Sequence, residues 1–208
     1  MNTVLTYWAE IEPLLNPENY QKIYDTLPLW RREKADRIRF SRDRALSVGA
    51  WRLYTLALEQ AEAAEEAPFN LSHSGDYVLV SIAPEKEQVG CDIEVMKDAK
   101  DSLAKRFFRQ QEYEWMMAQE EKDRKEAFYR LWVLKESFMK ATRYGMKLGL
   151  DSFELEIPEE GEPALCVQPD FVKGRYFFRE YTVPRKDARI AVCSTSSMFV
   201  QPKKIELI

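Results

Sequence analysis

The chain has 208 residues, of which 45% are hydrophobic and 32% charged, with only 7 glycines and 10 prolines. That mixture excludes collagen-like and low-complexity chains, the 12% of aromatic residues excludes a disordered one, and the length supplies a core for one large domain or two small ones. A net charge of −4 argues against a general nucleic-acid binder and leaves room for a local basic patch.

The first segment, Met1 to Glu10, has no basic stretch followed by an apolar run, so no secretory signal is expected. No apolar run approaches the roughly 20 residues that span a bilayer. A cytoplasmic protein with no membrane partner is the expectation. Cys91, Cys166 and Cys193 are odd in number and far apart, without a C-x-x-C pair. This excludes a full disulfide framework and a thiolate zinc site, and predicts reduced, mostly buried thiols.

Thr3 to Ile11 reads as a first strand. Pro17 to Leu27 reads as a short helix, with Asn16 as N-cap and Pro17 at the first helical position. The stretch Arg31 to Arg44 then carries seven basic and three acidic side chains. From Ser41 to about Ala64, Leu46, Ala50, Leu53, Tyr54 and Ala57 recur at helical spacing. Phe69 to Ser72 and Tyr77 to Ala83 read as strands around a Gly75-Asp76 turn, and Gln88 to Val95 reads as another. Helical patterns follow from Asp101 to Ala118 and from Asp123 to Tyr144, with Gly145 as the stop. The tail reads as antiparallel strands: Ser152–Ile157, Ala164–Gln168, Arg175–Val183 and Arg189–Ser194. The order predicts an α+β fold in two halves, residues 1–97 and 98–208.

Several groups of residues could carry chemistry. Asp92 and Glu94 lie two apart on a strand, so both point to one face while Cys91 and Ile93 point to the other. Adjacent carboxylates need a cation or water between them, and hard oxygen ligands suit Mg²⁺. Two solvated acids on a sheet edge fit the same pattern. Trp132, Glu136 and Lys140 share one helical stripe. Glu136, in apolar company beside Lys135 and Lys140, fits a metal ligand or general base; a solvated Glu-Lys pair is the plainer reading. His73, the only histidine, sits between Ser72 and Ser74 just past a strand end, where a loop can cradle phosphate. It also reads as a turn histidine with no ligand. The basic strip fits either a phosphate grip or a solvated helix face. Phe107 and Phe108 in their basic collar fit either core packing or the docking of an acidic helix. No G-x-S-x-G elbow supports a serine hydrolase. Together the groups point to a polyanionic phosphate ester handled with a divalent metal.

Phe69-Asn70-Leu71-Ser72-His73-Ser74, then Gly90-Cys91-Asp92-Ile93-Glu94, then Trp132-x-x-Lys135-Glu136-Ser137-Phe138-x-Lys140-Ala141 resembles the 4′-phosphopantetheinyl transferase superfamily, whose motifs occur in this order. Gly145 to Phe153 is similar to the family's closing G-x-x-L-x-L-x-S-F stretch. The likeness runs over about residues 30 to 195. The length resembles the surfactin-synthetase-activating type, which implies two similar α/β subdomains forming a pseudodimer inside one monomer. The resemblance implies transfer of the phosphopantetheine arm of coenzyme A to a serine of an acyl or peptidyl carrier protein, releasing adenosine 3′,5′-bisphosphate. It implies Mg²⁺, or Mn²⁺, on Asp92, Glu94 and Glu136. Glu136 would also help deprotonate the serine. Lys140 would meet the pyrophosphate with Lys135 assisting, Ser72 and His73 would contact the coenzyme A phosphates, and Lys34, Arg37 and Arg44 would meet the 3′-phosphate. One departure stands out: the Gly-Lys-Pro stretch of longer members is replaced by the acidic segment Leu58 to Pro68. A non-catalytic relative that binds a carrier protein or nucleotide is the competing expectation, and an unrelated Mg²⁺-dependent phosphohydrolase is the third.

Overall fold

The computed structural model describes residues 2–98 and 101–208. Strand β1 (Leu5–Glu10) alternates its side chains between two apolar layers. Helix α1 (Pro17–Thr26) starts as the sequence predicts. The Asn16 side chain accepts from the N–H groups of Glu18 and Asn19 at 2.9 and 3.2 Å, two donors that no helical carbonyl reaches. The basic strip divides between α2 (Leu29–Asp36) and the start of α3 (Ser41–Ala61).

Strands β2 (Phe69–Ser74) and β3 (Tyr77–Ile82) form a hairpin with Ser74 opposite Tyr77. Its loop is just Gly75-Asp76, with Gly75 at φ +59°, the backbone a two-residue hairpin demands. Such a tight turn keeps β2 extended through Ser74. His73 therefore lies inside a strand, opposite Val78, and not in a phosphate-cradling loop as expected.

Strand β4 (Val89–Val95) opens a second sheet. Helices α4 (Asp101–Phe107) and α5 (Gln110–Ala118) follow, separated at Phe108-Arg109, where one continuous helical region was expected. Glu112 causes the break, because its carboxylate accepts from the Arg109 N–H at 2.8 Å and starts α5 afresh. The long helix α6 (Glu121–Thr142) ends at Arg143 in the left-handed conformation, φ +58°, two residues before the expected glycine stop. Strands β5 (Glu154–Glu156), β6 (Ala164–Val167), β7 (Phe177–Thr182), β8 (Ala188–Ser194) and β9 (Lys203–Lys204) complete the α+β fold.

The strands form sheets of order β2-β3-β1-β9 and β4-β8-β7, with β5-β6 as a separate pair. The two larger sheets pack face to face through Trp8, Tyr77, Leu79, Cys91, Ile93, Ile190 and Val192. Helix α3 covers the outer face of the first sheet and α6 that of the second. The sequence division at residue 97 placed β4 with the first half. Its backbone ladder runs instead to β8, and β9 returns from the end of the chain to β1. Hydrogen bonding between distant strands, which local patterning does not encode, makes that assignment.

Gly90 sets the distance between β4 and α6. A Cβ there would overlap the carbonyl oxygen of Ser137 and the backbone nitrogen of Ala141. Only glycine lets the helix backbone lie directly on the strand. Glu136 and Lys140 are thereby brought against the face of β4 that carries Asp92 and Glu94.

Candidate active site

Side chains of β2 lie against the backbone edge of β4 that is not paired with β8, and α6 lies beside that joint. Asp92 is 3% exposed. Its Oδ1 accepts from Lys140 Nζ at 2.6 Å and from Ser72 Oγ at 2.8 Å. Lys140 Nζ also donates to Ser72 Oγ at 3.0 Å and to the Cys91 carbonyl at 3.2 Å, so all three ammonium hydrogens are committed. Asp92 Oδ2, equally buried, has no hydrogen-bond partner among the described residues. A buried carboxylate oxygen without a donor is costly, and a cation is one of the few things that relieves it.

Glu94 and Glu136 are half-buried. Ser74 Oγ donates to Glu94 Oε2 at 2.6 Å. Burial raises the pKa of Asp92 most directly, against the pull of Lys140 and Ser72. Burial also raises Glu94, which feels the charges of Asp92 and Glu136, and it raises Glu136, which feels Asp92. The three carboxylates therefore form one mutually repelling group, with Lys140 as its counterion. Burial opposes the Lys140 ammonium, but the Asp92 charge and hydrogen bond outweigh it and raise its pKa. Among the described residues, no three acidic, histidine or cysteine side chains stand in ready-made metal-ligand geometry. The donor set still fits a hard divalent cation, since Mg²⁺ commonly takes one or two carboxylates and fills its remaining positions with water and phosphate oxygens.

His73 points away from Ser72 and Ser74, as strand alternation requires. Burial lowers its pKa, as do the nearby charges of Lys140 and Lys34, while Asp43 pulls the other way. The imidazole thus lies within electrostatic reach of Lys140 on α6 and Lys34 on α2. Lys34 and Arg37 are exposed. Arg44 lines a groove with Tyr20, Tyr24, Asp36 and Ser41 against α1. Arg31, at the head of the strip, is 5% exposed, packs over Trp51 and donates to the Ser47 carbonyl at 2.9 Å, which removes it from any ligand.

One expected site residue is corrected, and a second is engaged within the protein. Lys135 does not reach the carboxylates. It is fully buried on the other side of α6, with Nζ 2.6 Å from both oxygens of Glu112 and 2.9 Å from the Phe153 carbonyl. One position separates Lys135 from Glu136, and on a helix that turns the side chain by about 100°, onto a different face. Burial pushes its pKa down to about 8, with Glu112 pulling back. Ser72, expected at the coenzyme A phosphates, has its hydroxyl committed to Asp92 and Lys140 inside the protein. Phe108 belongs to the core, and Phe107, partly buried, packs edge-on against Trp132.

The sequence reading missed Glu112, Ser74 and Asn70. Glu112 carried no local signal, because its partner Lys135 lies 23 positions away. Ser74 and Asn70 did carry one: with Ser72 they share a strand face, just as Asp92 shares one with Glu94.

A sequence model of the 4′-phosphopantetheinyl transferase superfamily matches residues 88–193, just over half of the chain. The chain belongs to that superfamily. The matched span holds the three carboxylates and Lys140 and leaves out β2 and the basic strip. 4′-Phosphopantetheinyl transferase Sfp of Bacillus subtilis (strain 168) is 34% identical over 143 residues, 69% of this chain and 61% of that protein. The psf-1 transferase of Bacillus pumilus is 39% identical over 97 residues, 47% of this chain and 41% of its own. The match takes in about three fifths of the length of the Bacillus subtilis relatives. A holo-[acyl-carrier-protein] synthase structure from Thermotoga maritima aligns over 51% of this chain and 61% of its own, at 22% identity and a TM-score of 0.45. Among the described residues, no helix of this superfamily member is long and apolar enough to cross a membrane.

Proposed function

We propose that this chain transfers the 4′-phosphopantetheine arm of coenzyme A to a serine hydroxyl of an apo acyl or peptidyl carrier protein, releasing adenosine 3′,5′-bisphosphate. The observation that carries the reading is the buried, unpartnered Asp92 Oδ2 among three mutually repelling carboxylates beside a lysine. Superfamily membership and the transferases among its relatives support it.

Asp92, Glu94 and Glu136 would hold a divalent ion, Mg²⁺ or Mn²⁺. When bound, that ion supplies charge stabilisation on the pyrophosphate oxygens. Lys140 hands one of its three hydrogen bonds to a pyrophosphate oxygen, where it stabilises the charge that develops as the bond to the leaving nucleotide breaks. Ser72 keeps Asp92 oriented while Lys140 does so. Glu136, whose carboxylate burial makes more basic than usual, takes the proton of the attacking serine. His73, whose pKa burial and the Lys140 charge lower, gives a hydrogen bond to a phosphate oxygen. Lys34, exposed and with its charge felt by His73, meets the 3′-phosphate together with exposed Arg37 and with Arg44 of the α1 groove. Catalysis in such transfers rests on positioning and electrostatics more than on covalent chemistry. The two sheet-and-helix halves act as a pseudodimer within a cytoplasmic monomer, the site lying at their joint.

Intact-mass measurement on a panel of apo carrier proteins with coenzyme A and Mg²⁺ tests the reading. A pantetheinyl mass increase that EDTA abolishes and Glu136→Gln removes is expected. Coenzyme A binding without any mass increase would refute transfer in favour of a non-catalytic relative. Hydrolysis of coenzyme A without a carrier would refute it in favour of a phosphohydrolase.

A further inference from the structure

The edge of β4 that faces β2 is satisfied by side chains instead of by a neighbouring backbone. The N–H of Cys91 donates to Asn70 Oδ1 at 2.9 Å, that of Ile93 to Ser72 Oγ at 3.4 Å, and that of Val95 to Ser74 Oγ at 3.1 Å. Successive acceptors on β2 thus meet successive N–H groups on β4, two residues apart on both strands.

The residue that precedes each N–H explains which acceptor is used. Before Ile93 stands Asp92, before Val95 stands Glu94, and before Cys91 stands Gly90, which has no side chain. Where β4 offers a carboxylate, β2 offers a hydroxyl. Where β4 offers none, β2 offers an amide. A hydroxyl that accepts from an N–H has one proton left to give. Ser72 gives it to Asp92 at 2.8 Å and Ser74 gives it to Glu94 at 2.6 Å. The backbone of β4 therefore fixes the direction of each hydroxyl proton, and the proton fixes the carboxylate.

We infer that Ser74 is a positioning residue for the cation: it locks Glu94 through a hydroxyl that the Val95 N–H orients, as Ser72 locks Asp92. The inference rests on the reading of Asp92, Glu94 and Glu136 as cation ligands. Glu94 is half-buried, and Ser74 is its one side-chain hydrogen-bond donor among the described residues, the one directional restraint on its head group. An unlocked glutamate loses rotamer freedom on binding a cation, and a locked one has already lost it. Ser74 touches neither substrate nor, in this arrangement, the ion. Its contribution passes through Glu94.

Titration of the full-length protein with Mn²⁺ alone, counting free ion by electron paramagnetic resonance, reads this without turnover. Ser74→Ala is expected to bind Mn²⁺ about tenfold more weakly, the scale of one hydrogen bond to a charged group. Ser74→Thr, which keeps the hydroxyl, is expected to stay within about threefold of wild type. Near-UV circular dichroism is expected to match for all three proteins. Unchanged Mn²⁺ affinity in Ser74→Ala would overturn the inference and leave the transferase reading standing. So would a Ser74→Thr variant as weak as Ser74→Ala, since the lost property would then be shape and not the hydroxyl. Wild-type protein that binds no Mn²⁺ would overturn the cation reading itself, and the role of Ser74 with it.

Discussion

The Lys135–Glu112 pair makes the sharpest claim about which residues hold the fold and which do the chemistry. Both side chains are fully buried. Lys135→Met leaves the Glu112 carboxylate with two backbone donors, Arg109 N–H at 2.8 Å and Leu155 N–H at 2.9 Å, and removes the counterion in contact with it. Breaking a buried pair on one side typically costs about 3–5 kcal/mol. For a chain of this length each kcal/mol lowers the melting temperature by about 2–4 °C, so a fall of about 6–20 °C follows. Glu112→Gln should cost a similar amount, because it leaves the buried ammonium with neutral acceptors only, the amide oxygen and the Phe153 carbonyl. The double variant is neutral, and its glutamine oxygen still caps one of the two N–H groups. It should return to within about 2 kcal/mol of wild type, since neutral replacement of a buried pair is often well tolerated. Urea unfolding followed by tryptophan fluorescence closes the cycle. A Lys135→Met variant within about 1 kcal/mol of wild type, or a double variant that merely sums the singles, would refute the reasoning. Pantetheinyl transfer by the folded double variant separates structure from chemistry. It should stay within about tenfold of wild type, whereas loss of a catalytic lysine would cost on the order of 10³-fold.

Three further outcomes are expected. His73 is the only histidine, so one imidazole resonance reports it by nuclear magnetic resonance. Its midpoint should lie below the ordinary 6.5 and rise in Lys140→Met. Because the folded value lies below the unfolded one, the unfolded state binds more protons in that window. Stability from this group should therefore fall as the solution is acidified through it and be unaffected at pH 8. Gly90→Ala sets a methyl against the α6 backbone, which cannot yield as a side chain would. It should cost about 1–3 kcal/mol by urea unfolding, and transfer should drop by about 10²-fold as Lys140 and Glu136 shift from Asp92; unchanged transfer would remove Gly90 from the account. Asp92→Asn takes away the charge that the cation and Lys140 share, so thermal stabilisation by Mg²⁺ should vanish in differential scanning fluorimetry and transfer should fall on the order of 10³-fold. Retained Mg²⁺ stabilisation in that variant would move the cation elsewhere.

The sequence by itself determined the local chemistry. Alternation placed Asp92 and Glu94 on one face of a strand and set Cys91 and Ile93 against the apolar layer, where they lie. Helical spacing put Glu136 and Lys140 on one stripe, and Asn16-Pro17 marked a helix start that holds. Each of these follows from a period of two or of 3.6 residues, a property of the chain within a few positions. Tertiary structure alone decided the rest. Lys135 adjoins Glu136 in sequence, but its ammonium is turned to a glutamate on α5 that no spacing rule could find. Ser72 reads as a ligand contact until β4 comes alongside and takes its hydroxyl. His73 reads as a loop residue until the pairing of β2 with β3 extends the strand by two positions. The partner of a buried charge is whichever opposite charge or dipole the fold brings within about 3 Å, because desolvation leaves it no alternative. That partner is set by contacts between distant segments, and a linear pattern carries no record of them.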